Sequence, residues 1–111
     1  MDLVKRTAVD GKDAECVIRC GVGALEGKYL VGIRRADGVL VVAFDTGPGM
    51  HRRLAEKYGL HPLGGGRCRL DPEQRLLTLS GASMDYGAEP DRGLTVRIFQ
   101  DALPGYRIEA D

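Results

Sequence analysis

The sequence predicts an α/β (α+β) domain: a mixed sheet of about six strands with two helices packed on it. Three observations predict it. Apolar stretches bounded by Gly, Pro and Asp recur from Cys16 to Ile108, the punctuation of short strands and turns. The run Val39-Leu40-Val41-Val42-Ala43-Phe44 is apolar throughout, as a central strand covered on both faces requires. Two other stretches, 50–58 and 91–103, repeat their apolar residues at helical spacing.

Residues 1–12 are polar and aperiodic and read as a loose lead-in to a single domain over 13–111. Cys16-Val17-Ile18-Arg19-Cys20 reads as the first strand, followed by a glycine-rich turn through Gly21, Gly23 and Gly27. Residues 29–34 make a second strand and 39–45 a third. They are joined by Ala36-Asp37-Gly38, where Asp-Gly between apolar runs is a hairpin signal. Thr46-Gly47-Pro48-Gly49 breaks the chain. A helix over 50–58 then sets Met50, Leu54 and Tyr58 on one face and ends at Gly59, a natural left-handed cap. After Leu60-His61-Pro62 and a triple glycine, strands over 67–70 and 75–80 flank the turn Asp71-Pro72-Glu73-Gln74. The last helix, 91–103, aligns Leu94, Ile98 and Ala102, with Asp91 or Thr95 as its cap. Pro104-Gly105 stops it, and residues 106–109 close the sheet.

With 111 residues, 43% hydrophobic and 29% charged, the chain can build one core without metal or disulfide. Folded, it should expose roughly 6,000 Å², about a third of what the unfolded chain would. Sixteen Lys and Arg balance sixteen Asp and Glu, so any anion site must be built locally. No bulk field draws nucleic acid or an anionic membrane, and 5% aromatics with no Trp make a poor base-stacking platform. No apolar run approaches a membrane span, and no signal-peptide core follows Met1. Three cysteines, an odd number, point to free thiols and a cytoplasmic setting.

Two segments invite chemistry. In Leu63-Gly64-Gly65-Gly66-Arg67, three adjacent glycines cost backbone entropy that only a sharp bend or a close approach justifies. The arginine that follows brings a fork of donors suited to a phosphoryl or carboxylate group. Ser80-Gly81-Ala82-Ser83-Met84-Asp85-Tyr86-Gly87, between a strand and the final helix, is the kind of small-residue loop whose N–H groups hold anions. The plainer readings are a flexible strand entry and an ordinary strand-to-helix loop.

Together, Leu63-Gly64-Gly65-Gly66-Arg67 and Ser83-Met84-Asp85-Tyr86-Gly87 resemble the paired signature of the Janus/Ocnus family, which includes the protein histidine phosphatases. The resemblance runs from Leu63 to Ile108. It implies a mixed sheet with two helices and a metal-independent, cofactor-free hydrolysis of phosphohistidine, with a histidine activating the attacking water. Arg67 would hold the phosphoryl group beside Gly66, Ser83 would contact it, and the backbone N–H of Asp85 would face it. A further family arginine corresponds to Arg34 or Arg35. The partner implied is a phosphorylated protein or small phosphorylated ligand, with the chain a monomer or weak homodimer.

The catalytic histidine aligns in two ways. Counting back from Gly59 sets Phe44 at its position; a shorter helix sets His51 there instead, at a helix start where N–H groups and dipole favour an anion. His51 would then be the base, the plainer reading being an exposed first-turn residue. Asp45 is another conceivable base, more simply a turn former, and His61 a loop residue. The lysine of the family's first strand falls near Ala14 or Glu15, and Asp85 stands where the family has alanine. A carboxylate about 4 Å from an anion repels it by about 4 kcal/mol at an effective dielectric of 20. A non-catalytic anion-binding module, or a pocket retuned by Asp85 for a cationic or neutral ligand, is therefore the alternative.

Cys16 and Cys20 share one strand face, about 13 Å apart, too far for a disulfide. Cys68 reads as core as well. His51, His61 and Cys68 lack the spacing of a zinc site. Gly21-Val22-Gly23 precedes no helix and is no dinucleotide loop.

Overall fold

A computed structural model of the chain describes residues 1–21 and 25–111. Among these residues seven strands form one mixed sheet, with a helix against each face, an α+β fold. A hairpin of β1 (Asp2–Val9) and β2 (Lys12–Arg19) is followed by β3 (Glu26–Arg34) and β4 (Leu40–Asp45). Then come α1 (His51–Tyr58), β5 (Leu60–Asp71), β6 (Leu76–Ser80), α2 (Arg92–Ala102) and β7 (Arg107–Ala110). The spatial order is β1-β2-β4-β3-β5-β6-β7; β2/β4 and β6/β7 run parallel, the other pairs antiparallel. The exposed area of 5988 Å² is what a single core of this mass should show.

Residues 1–12 are not a loose lead-in. Asp10 (φ 54°) and Gly11 (φ 75°) form a two-residue left-handed turn that matches strand twist, and β1 pairs with β2 from Asp2↔Arg19 to Val9↔Lys12. The strand is disguised because it lies at the sheet edge. Lys5 and Thr7 share the inward face with Leu3 and Val9, and the Lys5 ammonium escapes to the Asp101 carbonyl oxygen in the last turn of α2, 3.0 Å away. The sheet therefore has seven strands where about six were expected. Of the glycine-rich turn expected after β2, and of the Gly21-Val22-Gly23 motif, residues 22–24 lie outside the described residues.

The helices fall where periodicity put them, within a residue. Gly59 (φ 64°) caps α1, and the Asp91 carboxylate accepts from the Leu94 N–H at the start of α2, worth about 1 kcal/mol. The triple glycine is different: it is the middle of β5 and not a loop. A Cβ on Gly65 would run into the Tyr29 carbonyl oxygen, and one on Gly66 into that of Ser80. At Gly64 (φ 142°) the Ala88–Glu89 backbone leaves no room either. Pro62, which has no N–H to donate, sits where the β3/β5 register shifts, between Val31 and Gly32.

Side-chain alternation gives the sheet two unequal faces. Ile18, Tyr29, Val42, Phe44 and Leu79 pack with Ile98 and Phe99 of α2. Val17, Leu30, Val41 and Ala43 pack with Leu54 and Ala55 of α1. At eight residues, α1 is only about 12 Å long and covers the middle of its face. Past its N-terminal end the outward residues of β3, β5 and β6 stay open.

Gly65→Ala is expected to destabilise the fold by about 1–3 kcal/mol or more, because its Cβ meets main chain and not a side chain that can yield. Urea unfolding of the variant against wild type measures this, and an unchanged midpoint would contradict the close approach.

Candidate active site at the start of α1

Helix α1 begins without a cap of its own: Met50 makes no side-chain cap bond, and the first turn holds no acidic residue. His51, its first residue, is buried, with Nε2 2.9 Å from the Gly66 carbonyl oxygen. A carbonyl oxygen only accepts, so Nε2 carries a proton, and the tautomer this bond selects has its lone pair on Nδ1. The first-turn histidine is therefore oriented rather than exposed.

The β6–α2 loop folds onto the same strand. The Ser83 N–H donates to the Gly65 carbonyl (3.1 Å), the Gly65 N–H to that of Gly87 (3.0 Å), and the Gly87 N–H to that of Ser83 (2.8 Å). Ser83 is buried; its Oγ accepts from the Asp85 and Tyr86 N–H groups at 3.2 and 3.1 Å, leaving the hydroxyl proton to donate. The Asp85 N–H, which the resemblance aims at a phosphoryl group, is thus turned to Ser83. The Asp85 carboxylate crosses to α1 and accepts from the Arg52 N–H at 3.3 Å, the cap the helix lacks. His51, Gly66, Ser83 and Asp85 come together in this way.

Arg67, next along β5, is exposed and stands in register with Lys28 on β3 and Ser80 on β6. With Gly47, Pro48 and Gly49, the loop that enters α1, these residues line a cleft of about 590 Å³. The Lys28 ammonium donates to the Gly49 carbonyl at 2.7 Å. Sequence reasoning found the family's first-strand lysine position near Ala14 or Glu15, a positive charge lost, and missed Lys28, whose only signal is its register with Arg67. His51, Ser83 and Asp85 do not line this cleft; they meet the strand one or two residues away, at Gly65 and Gly66. Arg35 does not join them. Its N–H bonds the Gly59 carbonyl at the far end of α1, and it lines a separate cleft of about 360 Å³ with Arg52 and Tyr86.

Asp45 is neither base nor simple turn former. Its buried carboxylate accepts from the Lys57 ammonium (2.7 Å), the Tyr58 hydroxyl (2.9 Å) and the Gly47 N–H (2.7 Å). Burial pushes this carboxyl up, but those donors outweigh it and hold it below the usual aspartate range. Phe44 is fully buried on the α2 face, away from Arg67. His61 is exposed on β5. Cys16, Cys20 and Cys68 are buried together on the α2 face, where burial pushes the Cys16 thiol up to about 12. Cys68 and His51 lie on opposite faces and share no site.

Glu89 is the residue sequence reasoning overlooked, because nothing in Ala88-Glu89-Pro90 hints that it is buried. Its carboxylate accepts from the Tyr29 hydroxyl (3.0 Å), Arg92 Nη2 (2.9 Å) and the Thr95 hydroxyl (2.8 Å). Arg92 also donates to the Gly81 carbonyl at 2.6 Å, so this network pins both ends of the loop that carries Ser83 and Asp85. A second cleft, about 470 Å³, opens on the α2 face between Ile33, Leu40, Leu63 and Leu94, but its buried polar groups, Glu89 and Thr95, are bonded to each other.

Burial pushes the Glu89 carboxyl up, yet hydrogen bonds from Arg92, Thr95 and Tyr29 outweigh it and hold it below the glutamate value of 4.5. Its stabilising contribution is therefore complete above that value and lost as the pH falls through the lower, folded-state one. Glu89→Gln is expected to cost about 3 kcal/mol at neutral pH and to flatten the acid side of the stability profile. Urea midpoints across the acidic range test both; an unaltered acid slope would contradict the network. No family model matches the chain, and none of the curated proteins is similar enough to it to count as a match.

Proposed function

We propose that the chain binds a phosphoryl group at the start of α1 and hydrolyses it without a metal, in the manner of the protein histidine phosphatases. The observation that carries this reading is the pairing of Arg67 and Lys28 on neighbouring strands, beside the Gly66 carbonyl that orients His51. The two cations supply charge and donors for the phosphoryl oxygens. His51 Nδ1 takes the proton of a water as that water attacks phosphorus. The P–N bond breaks with its electron pair going to nitrogen, which is protonated in turn, and phosphate is released. A mixed sheet with a helix on each face suits the same fold type. Of the two alignments, His51 is favoured over Phe44, because Arg67 and α1 share one sheet face and Phe44 lies on the other. The substrate is a phosphorylated protein or small phosphorylated ligand, and three unpaired thiols favour a reducing, cytoplasmic setting.

A second reading, a binding module without turnover, is favoured by one observation: the Asp85 carboxylate already holds the Arg52 N–H. Phosphate release from phosphohistidine separates the two. Wild type is expected to turn over, His51→Ala to lose about 10²–10⁴-fold in rate while still binding phosphate, and Arg67→Ala to lose binding. Wild type that binds phosphate without turnover would leave the binding module.

A further inference from the structure

We infer that the chain forms a two-fold homodimer through the free edge of β1, with Val4 on the axis and Asp2 of each protomer facing Arg6 of the other.

β1 stands at the end of the sheet, and among the described residues no strand pairs with its outer side. The direction of its backbone groups follows from the bonds at its start. The Met1 nitrogen donates to the Cys20 carbonyl and the Cys20 N–H to that of Met1, both at 2.9 Å. In an antiparallel ladder such reciprocal pairs alternate, so Leu3, Lys5, Thr7 and Val9 also bond β2. The N–H and C=O groups of Asp2, Val4, Arg6 and Ala8 therefore point away from the sheet. The side chains of these four are exposed on the face that carries α1, where Val4, opposite Val17, is 54% exposed.

An open edge of this length recruits another strand unless the chain blocks it. Charge decides which strand fits. Two copies of β1 meet antiparallel only in registers that bring even-numbered residues opposite even-numbered ones. An axis at Asp2, Lys5 or Arg6 would set that residue against itself, like charge on like charge. An axis at Leu3 or Thr7 shortens the overlap and leaves the charges unmatched. With Val4 on the axis, Asp2 faces Arg6 twice and two exposed valines meet. Lys5 then faces Leu3 on the other side of the sheet, its ammonium already held by the Asp101 carbonyl. The ion pairs inside each protomer extend the match. Asp2 lies 3.3 Å from Arg19, and Arg6 3.3 Å from Glu15. Across the interface the row reads Arg19, Asp2, Arg6, Glu15, alternating in sign. Any extended peptide could satisfy the backbone, but this strand is its own charge complement, and that favours a second copy.

Sedimentation velocity over a range of concentrations, at low fixed ionic strength, tests the dimer. Wild type is expected to pass from monomer to dimer and stop there, because the axis consumes the β1 edge of both copies. Asp2→Arg alone sets arginine against arginine, and Arg6→Asp alone sets aspartate against aspartate. Each is expected to weaken the dimer about tenfold or more. An equimolar mixture of the two variants restores opposite charges at both contacts and is expected to recover association. Val4→Pro removes an N–H that β2 does not use, so the variant should keep its far-UV circular dichroism and stay monomeric. The mixture decides alone if Val4→Pro does not fold. Wild type that stays monomeric at millimolar concentration would overturn the second copy as the occupant of this edge. A dimer that survives Val4→Pro would place the contact on another surface. Single variants that dimerise like wild type, or a mixture that fails to recover, would overturn the register.

Discussion

The close approach of three chain segments at Gly64, Gly65 and Gly66 is the constraint on which the other features depend. A side chain at Gly65 would push β3 away at Tyr29, one at Gly66 would push β6 away at Ser80, and one at Gly64 would lift the chain at Ala88 and Glu89. Each displacement breaks something further out. Tyr29 donates to Glu89, Glu89 holds Arg92, and Arg92 holds Gly81, so the loop carrying Ser83 and Asp85 is anchored through this approach. Glycine is thus required here for what it omits, room for a backbone, and only secondarily for flexibility.

A chain with no net charge can still build a local cation site if the nearby acids are occupied elsewhere, and the structure shows how. Lys28 stands in register with Asp45 on β4 as well as with Arg67 on β5. The Asp45 carboxylate, however, is drawn over to Lys57, Tyr58 and the Gly47 N–H, so Lys28 is left with a neutral carbonyl, that of Gly49. Glu89 is likewise consumed by Arg92 on the far face. What remains in the cleft beside α1 is three cations, Lys28, Arg67 and Arg69, and one carboxylate, Glu26, which pairs with Arg69 at 3.8 Å. Because these groups are partly open to solvent, their fields are screened within about 8–10 Å, and the site is felt only close in.

Legibility followed what each signal depends on. Elements set by local pattern were readable: the apolar run of β4, the two helices with their Gly59 and Asp91 ends, and the turn at 71–74. β1 was not, because edge position replaces alternation with residues such as Lys5 and Thr7, although Asp10-Gly11 carried the same hairpin signal as Asp37-Gly38. The glycine run was legible as unusual but not as a strand, since the backbone atoms that demand it belong to residues 29, 80 and 88–89, far away in sequence. Arg67, Ser83, Asp85 and His51 were singled out and three of them meet in one hydrogen-bonded cluster with Gly66, whereas Arg35 went elsewhere because strand register, not sequence order, assigns residues to clefts. Lys28 and Glu89 were invisible for the same reason.

Strand parity also bears on where a catalytic base can stand. Residues 42 and 44 of β4 face α2, while residues 41, 43 and 45 face α1. A group on Phe44 could not reach Arg67 without passing through the sheet. A residue that begins α1 has no such restriction, because the Gly47-Pro48-Gly49 turn brings the chain over the α1 face before the helix starts. Six residues separate Phe44 from His51 along the chain, yet only the second lies against the strand that carries Gly66 and Arg67. The position of a base in such a site is therefore set by which face it occupies and by what its ring nitrogen is bonded to. An alignment that counts residues through the intervening helix misses both.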